Sequence, residues 1–299
     1  MKLRTKLLLL TAGLSSAYIY SKIQAERRVN EIKPVFKRPA PYIFAHRGGK
    51  GNYPEHTRLA FNNAVNQNVD GFEIDVRLTK DNEIVVLHDL YVDRVTEYSG
   101  KVSDYTLDEL RKLDFGYNFK DVRGNYAYRG HPDAGIVTLR ELFKEYPHQI
   151  INIDMKDSID TEAGQKIAPL LFELILDEKA TDRVIVTSFE DEQIRRFTSF
   201  SGDLIALGAG TEEVTKAYTL YHSGLGHLYQ PSRDTFQIPI NLSSVKLDNA
   251  GFIRYLDDLN VKVGFWVIND TNEMTRLLNL GAHTIVTDYP DKANLLINY

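Results

Sequence analysis

The sequence predicts an α/β fold, a (β/α)₈ TIM barrel with an insertion after the third strand, preceded by an N-terminal hydrophobic segment. The chain has 299 residues, which suits one large α/β domain. Eight short segments rich in Val and Ile lack polar alternation, as strands buried on both faces do. Helical patterns separate most of these segments, and this alternation predicts a parallel sheet closed into a barrel.

The predicted strands and helices follow one another in a catalytic domain over residues 42–299. The strands are 42–47, 71–78, 83–89, 150–156, 183–189, 203–209, 261–269 and 283–288. Amphipathic helical patterns cover 55–68, 161–177, 249–260 and 270–280, and capping boxes start at Thr106 and Thr138. Residues from about 90 to 137 are rich in Tyr, Gly, Asp and Arg, and we expect them to form an insertion over one mouth of the barrel.

The first 23 residues have the pattern of a signal peptide or a signal anchor, because a basic start precedes a Leu-rich apolar run. Ser15 and Ala17 are small residues at cleavage spacing, which favours a signal peptide. Ile19 and Tyr20 extend the run, which favours an anchor in the membrane. Residues 24–41 form a predicted linker. We expect a membrane-anchored protein with its catalytic domain outside, or a secreted one if the leader is cleaved.

Composition excludes several classes of function. The net charge is −5 and the isoelectric point is near 5.9, so nothing indicates a nucleic-acid partner. The chain has no cysteine, which excludes disulfides, thiolate metal sites and cysteine nucleophiles.

The ends of the predicted strands carry the residues that suggest chemistry, since barrel enzymes place their active sites there. Glu73, Asp75 and Asp154 offer three carboxylates and no thiolate, which suits one hard divalent cation, Mg²⁺ or Ca²⁺. His46 and His88 come from the first and third predicted strands and flank these carboxylates. Two imidazoles beside a metal are suited to removing a proton and returning one.

Cationic and aromatic side chains complete the predicted site. Arg47 and Lys156 provide positive charge for an anionic group, most naturally a phosphate, so the set predicts metal-assisted phosphodiester chemistry. Several alternatives stay open. Lys156 can simply pair with Asp154, Trp266 can be a core aromatic, and Glu55 can be either a first-turn helix carboxylate or part of the site. Asp288 can be only a strand-end cap.

An ordered series of motifs resembles the glycerophosphodiester phosphodiesterase family. His46-Arg47-Gly48 is followed by Pro54-Glu55-x-Thr57, Glu73-x-Asp75 and Leu87-His88-Asp89. The resemblance continues through Asp154-x-Lys156, Gln237-Ile238-Pro239, Trp266-x-x-Asn269 and Thr287-Asp288-x-Pro290, and it covers residues 42 to about 297. His56 stands where the family usually has Asn, and Asp154 stands where Glu is more common.

The resemblance implies a TIM barrel and hydrolysis of glycerophosphodiesters to sn-glycerol 3-phosphate and an alcohol. It implies His46 and His88 as the acid/base pair, and Glu73, Asp75 and Asp154 as metal ligands. It further implies that Arg47 and Lys156 hold the phosphate and that Trp266 packs on the glycerol or the leaving group.

Two alternatives to this activity remain. A phosphodiester lyase would stop at a cyclic phosphate, and a membrane-anchored module would lack catalysis altogether. Motifs at 115–119 and 128–130 resemble the insertion of family members that accept lysophospholipids, so the expected substrate is a small-molecule or a lysolipid phosphodiester.

Overall fold

The computed structural model describes residues 16, 18, 20–26, 28–242 and 245–297. Most of the predicted leader, residues 1–23, therefore lies outside the described residues. Among the residues that the structure describes, no helix has both the length and the hydrophobicity needed to cross a bilayer.

Eight parallel strands form a barrel, which confirms the predicted fold class. In chain order, the strands of the described residues are β1 Tyr42–His46, β2 Gly71–Leu78, β3 Ile84–Val86, β4 Ile150–Met155, β5 Val184–Thr187, β6 Ala206–Leu207, β7 Thr235–Ile238, β8 Asn241–Leu242, β9 Val245–Lys246, β10 Lys262–Phe265 and β11 Thr284–Thr287. Of these, β3, β8 and β9 are not among the eight barrel strands. The hydrogen-bonded order is β6-β5-β4-β2-β1-β11-β10-β7. A parallel bridge between Gly208 and Thr235 links the two ends of this order.

The third predicted strand is not a barrel strand. β3 pairs antiparallel with β2, with Val86 opposite Val76 and Ile84 opposite Leu78. Only a short turn separates the two strands, and a parallel crossover needs a dozen or more residues. The segment therefore folds back as a hairpin, and its return arm delivers the following residues to the mouth of the barrel.

β7 is a barrel strand that was not predicted, and with it the barrel has eight strands without β3. Its sequence, Thr-Phe-Gln-Ile, pairs in parallel with β10. The segment was missed as a strand because it carries Thr235 and Gln237 rather than a run of branched aliphatic residues. The side chain of Gln237 accepts a hydrogen bond from Asn152 at 2.7 Å, so polar residues of β7 and β4 bond to each other.

The helices lie between the strands as expected. They are α1 Arg58–Asn66, α2 Leu107–Leu110, α3 Leu139–Glu145, α4 Glu162–Asp177, α5 Asp191–Ser201, α6 Thr211–His222, α7 Ala250–Asp257, α8 Thr271–Asn279 and α9 Pro290–Ile297. Both predicted capping boxes form, at Thr106 and at Thr138. Residues 90–137 pack around an apolar cluster of their own that includes Val92, Leu110 and Phe115.

The barrel has an apolar floor at the N-terminal end of its strands. Val35 and Phe36 from the segment predicted as a linker are buried there beside Tyr42 and Phe44. The ring of His283 packs edge-on against Phe36 and Tyr42, with ring centroids 5.5 and 4.4 Å apart. The opposite end of the barrel stays open, and the polar side chains converge there.

Candidate active site

A cavity of about 450 Å³ opens at the mouth of the barrel. It is lined by residues within or just after all the barrel strands except β11, and by residues of α6 and of the segment around β8. The lining side chains include His46, Arg47, Lys50, Glu73, Asp75, His88, Asn152, Asp154, Lys156, Phe189, Val214, Gln237, Leu242, Leu247 and Trp266. The structure thus brings together every predicted site residue other than Glu55 in one cavity.

Glu73, Asp75 and Asp154 form an acidic triad on the neighbouring strands β2 and β4. One carboxylate oxygen from each lies within 4.8 Å of the other two. Glu73 Oε2, Asp75 Oδ2 and Asp154 Oδ1 are buried, and none has a hydrogen-bond partner in the described part of the chain. Burial and the charges of Asp75 and Asp154 raise the pKa of Glu73, and burial raises that of Asp154 to about 6. Three buried carboxylate oxygens that lack hydrogen bonds fit a hard divalent cation.

Two cationic side chains neutralise part of this negative charge. Lys156 Nζ lies 2.6 Å from Asp154 Oδ2 and 3.0 Å from Asp75 Oδ1. Arg47 Nε lies 3.3 Å from Asp75 Oδ2. Arg47 follows the last residue of β1 and has a φ of +51°, so the chain turns there, and Gly48 at φ +80° continues the turn. Because β1 ends at His46, both His46 and Arg47 face the cavity.

His46 is held from the barrel wall. Its Nδ1 lies 2.6 Å from Asp288 Oδ1, and Asp288 Oδ2 accepts a hydrogen bond from the amide of Asn269 at 2.9 Å. An ionised carboxylate can only accept, so His46 Nδ1 carries the proton and Nε2 is free to act as a base. Burial lowers the pKa of His46, and the hydrogen bond to Asp288 opposes that shift. Asp288 therefore does more than cap a strand.

His88 is held from the hairpin and the insertion. Its Nδ1 lies 2.6 Å from Asp89 Oδ1, and its side chain is 33% exposed. The buried side chain of Arg77 donates to the carbonyl oxygen of His88 at 2.9 Å. Burial lowers the pKa of His88, while Asp75 and the bond to Asp89 act in the opposite direction. The two histidines thus have the same orientation device in different surroundings.

Glu55 belongs to the arginine side of the site and not to the acidic triad. Its Oε1 accepts from Arg47 Nη1 at 2.9 Å, and both of its oxygens accept from Arg94 at 2.8 and 2.6 Å. Burial alone would raise the pKa of Glu55, but Arg94 and Arg47 hold it well below its usual range. The carboxylate therefore remains charged and fixes both arginines.

His56, the departure from the family motif, lies behind the triad. It is 2% exposed, and its Nε2 accepts a hydrogen bond from the backbone N–H of Asp75 at 3.3 Å. Burial lowers its pKa to about 3, so it is neutral at physiological pH. His56 thus supports the backbone that carries one of the three carboxylates.

The other wall of the cavity is apolar. Trp266 donates from its indole Nε1 to the carbonyl oxygen of Gln237 at 2.8 Å, and its ring packs edge-on against Phe189. Val214, Leu242 and Leu247 also line the cavity with apolar side chains. Trp266 is therefore not an ordinary core aromatic, because one face of its surroundings is the cavity.

The sequence predicts no role for Arg94 and indicates Asp89 and Asn269 only as members of motifs. Asp89 directly follows a predicted catalytic histidine, and that adjacency was a usable signal. Arg94 lies inside the insertion with no local pattern around it, so its position at the mouth becomes visible only in the fold.

Comparisons with known proteins identify the family of the chain. The model of the glycerophosphoryl diester phosphodiesterase family matches residues 46–292. A glycerophosphodiester phosphodiesterase of Bacillus altitudinis is 31% identical over 263 residues, covering 84% of this chain and 96% of that protein. Lysophospholipase D GDPD1 of Rattus norvegicus is 28% identical over 279 residues, covering 85% of each.

Solved structures share the fold. The glycerophosphoryl diester phosphodiesterase domain of a Mycobacterium tuberculosis protein superposes with a TM-score of 0.73 at 19% identity, covering 87% of this chain and 100% of that one. An Oleispira antarctica phosphodiesterase, solved with the product sn-glycerol-3-phosphate, gives a TM-score of 0.67 at 23% identity, covering 87% of this chain and 97% of that one. The chain belongs to the glycerophosphoryl diester phosphodiesterase family, and it is an enzyme of that class.

Proposed function

We propose that this enzyme hydrolyses glycerophosphodiesters to sn-glycerol 3-phosphate and an alcohol, with one divalent cation, Mg²⁺ or Ca²⁺, and two catalytic histidines. A single observation carries the proposal. Three carboxylate oxygens without hydrogen bonds in the described residues share one cavity with two histidines, and the ring of each histidine is held by a carboxylate of its own. The relatives named as glycerophosphodiester phosphodiesterases support the substrate class.

The cation would be held by the carboxylate oxygens of Glu73, Asp75 and Asp154 that lack hydrogen bonds in the described residues. A bound divalent cation would supply positive charge for the phosphate oxygens as negative charge accumulates on them. Arg47 and Lys156 add two further positive charges beside the triad, so the phosphate group of the substrate can bind between them.

The two histidines would move the protons. Each Nδ1 is engaged by a carboxylate, so each Nε2 is available to the substrate. One histidine removes the proton of the attacking glycerol hydroxyl, and the other protonates the departing alcohol oxygen. When water opens the resulting cyclic phosphate, the two histidines exchange roles.

Substitutions tested with and without chelator examine this proposal. We expect His46→Ala, His88→Ala and Glu73→Ala to abolish turnover of glycerophosphocholine, and chelator to do the same to the unmodified enzyme. His148→Ala is the matched control, because His148 is exposed just ahead of β4, at the opposite end of the barrel. If chelator and all three substitutions leave turnover intact, the assigned site is wrong. Phosphorus NMR of the product separates hydrolysis from a lyase, which would accumulate cyclic phosphate.

The apolar wall favours a second substrate class, lysophospholipids. A glycerol diester with a small alcohol needs only the polar side of the cavity, whereas Val214, Leu242 and Leu247 offer an apolar surface next to it. Burial of an acyl chain contributes about 0.8 kcal/mol for each methylene removed from water. The similarity to a rat protein named lysophospholipase D supports this extension.

Variants of Leu242 in β8 and of Val245, which lies opposite it in the antiparallel strand β9, test the lysophospholipid activity. Leu242 and Val245 are 37% and 38% exposed, but only Leu242 lines the cavity. We expect Leu242→Asn to raise KM for lysophosphatidylcholine without changing KM for glycerophosphocholine, and Val245→Asn to change neither. Turnover of the soluble diester alone would exclude the lipid activity while leaving the phosphodiesterase proposal in place.

We also propose that the domain acts outside the cytoplasm, anchored by the N-terminal segment or secreted after cleavage. Tyr18 of that segment donates to the carbonyl oxygen of Gly224 on the floor side of the barrel. In the predicted linker that follows, Asn30 N–H donates to the carbonyl oxygen of Leu259 on the same side. A membrane anchor would thus join the domain at the end of the barrel opposite the cavity. Fractionation of the full chain, with mass spectrometry of its N-terminus, distinguishes the anchored form from the cleaved one.

A further inference from the structure

Arg94 connects the two halves of the site. Its Nε donates to Asp89 Oδ2, and its two terminal nitrogens donate to the two oxygens of Glu55 at 2.8 and 2.6 Å. Asp89 holds the ring of His88, and Glu55 holds Arg47. One guanidinium therefore lies between the carboxylate that orients a histidine and the carboxylate that fixes a phosphate-binding arginine.

The geometry of this bridge depends on the shape of a guanidinium group. A planar group with donors on two edges can engage two carboxylates at once and fix their separation, whereas a lysine ammonium is a single point charge. The bridge joins parts of the chain that are distant in sequence. Glu55 precedes α1 in the loop after β1, while Asp89 and Arg94 follow the β2–β3 hairpin.

We propose that Arg94 is a positioning residue of the active site, which sets the ring of His88 through Asp89 and the guanidinium of Arg47 through Glu55. This inference rests on the proposed two-histidine reaction. It assigns the first part of the insertion a positioning task in the active site, since the insertion supplies the only side chain in the described residues that contacts both Asp89 and Glu55.

The exposure of Arg94 allows this role to be separated from a structural one. Its side chain is 48% exposed, so truncation leaves no buried cavity. Arg58 is a matched control, because its guanidinium also lies against two carboxylates, 2.7 Å from Glu145 and 3.4 Å from Glu141, and neither of these carboxylates holds a residue of the cavity.

The test compares Arg94→Ala, Arg94→Lys and Arg58→Ala in steady-state turnover of glycerophosphocholine, with melting temperatures measured alongside. We expect Arg94→Ala to lower kcat and raise KM together, with a loss in kcat/KM on the order of tenfold to a hundredfold. We expect Arg94→Lys to recover part of the loss and Arg58→Ala to match the unmodified enzyme. Added guanidinium ion, below denaturing concentrations, should restore activity to Arg94→Ala and not to His88→Ala.

A double-mutant comparison locates the effect. In an Asp89→Asn background, Arg94→Ala should lower kcat little further, because the contact through which it acts on His88 is already lost. The inference is overturned if Arg94→Ala equals Arg58→Ala while His88→Ala is inactive, a result that leaves the proposed function standing. If His88→Ala and His46→Ala both remain active, the proposed function itself fails. Should Arg94→Ala not fold, Arg94→Lys against Arg58→Lys decides by the same criteria.

Discussion

Two histidines on neighbouring strands show how the two ends of this barrel differ. His46 ends β1 at the mouth, and His283 precedes β11 at the floor, where its carbonyl oxygen accepts from Tyr42. Both are 9% exposed, and burial lowers the pKa of both. Of the two, only His46 has a ring nitrogen hydrogen-bonded to a carboxylate, that of Asp288. The ring of His283 packs against two aromatic rings and hydrogen-bonds to the hydroxyl of Thr284.

The partner, rather than burial, decides what each histidine can do. The hydrogen-bonded carboxylate of Asp288 favours the charged form of His46 and leaves Nε2 for a substrate, while burial and the nearby Lys262 keep the ring of His283 neutral. The same contrast extends to the surroundings. The mouth keeps buried carboxylate oxygens without hydrogen bonds, and the floor is closed by Val35 and Phe36. We therefore expect changes at the mouth to affect activity and changes at the floor to affect stability.

The largest expected effect is at the mouth, in Glu73→Gln. Removing one ligand charge should lower kcat/KM on the order of 10³-fold, about 4 kcal/mol of transition-state stabilisation. Without a cation, the free energy of unfolding should stay the same or rise, since burial and two like charges already disfavour the ionised form of Glu73. Kinetics and urea unfolding in chelator measure both. A marked loss of stability in chelator would contradict the view that the mouth is built for binding.

The reverse pattern is expected at the floor. Phe36→Ala should lower the free energy of unfolding by about 3 kcal/mol or more, because it removes a buried ring from a packed layer. kcat should be unchanged at a temperature where the variant is folded. Phe189→Ala is the matched change at the mouth, where the ring is 57% exposed, and it should leave stability within about 0.5 kcal/mol. Equal destabilisation by the two variants would remove the distinction between the ends.

The pH dependence of stability provides a third test, through His283. Its pKa is about 4 in the folded chain, lowered by burial and by Lys262, against about 6.5 when unfolded. Between these values the unfolded chain binds a proton that the folded chain does not, so stability falls as pH decreases from 6.5 to 4. The loss contributed by this residue should approach about 3 kcal/mol. His283→Gln should flatten the curve of unfolding free energy in that window, and an unchanged slope would contradict the assignment.

Much of the mouth was predictable because it follows from one rule about parallel barrels. Side chains at the C-terminal ends of the strands meet, and this brings His46, Glu73, Asp75 and Asp154 together from their sequence positions alone. His88 was placed correctly for a different reason from the predicted one. It reaches the mouth on the return arm of an antiparallel hairpin, and not at the end of a barrel strand.

The remaining features depend on contacts between distant segments. β7 was missed because its interior side chains are polar, so the segment lacks the apolar pattern that marks a strand. One of these side chains, Gln237, accepts a hydrogen bond from Asn152 of β4. Arg94 was missed because nothing near it in the sequence indicates that Glu55 will lie beside it. The role of residues 34–36 in the floor was missed because their sequence resembles a linker. Only the fold brings Phe36 into contact with Tyr42 and His283.

The smallest expected effect is stabilisation by the cation, which separates the two ends without any change in activity. At ten times its dissociation constant, Mg²⁺ or Ca²⁺ should raise the free energy of unfolding by about 1.4 kcal/mol, because it binds only the folded triad. Glu73→Gln should lose this gain, and His283→Gln should keep it in full. Thermal unfolding with each ion and with chelator measures the difference. A gain that persists in Glu73→Gln would place the cation elsewhere. Equal gains from both ions at the same free concentration would show that the triad does not choose between them.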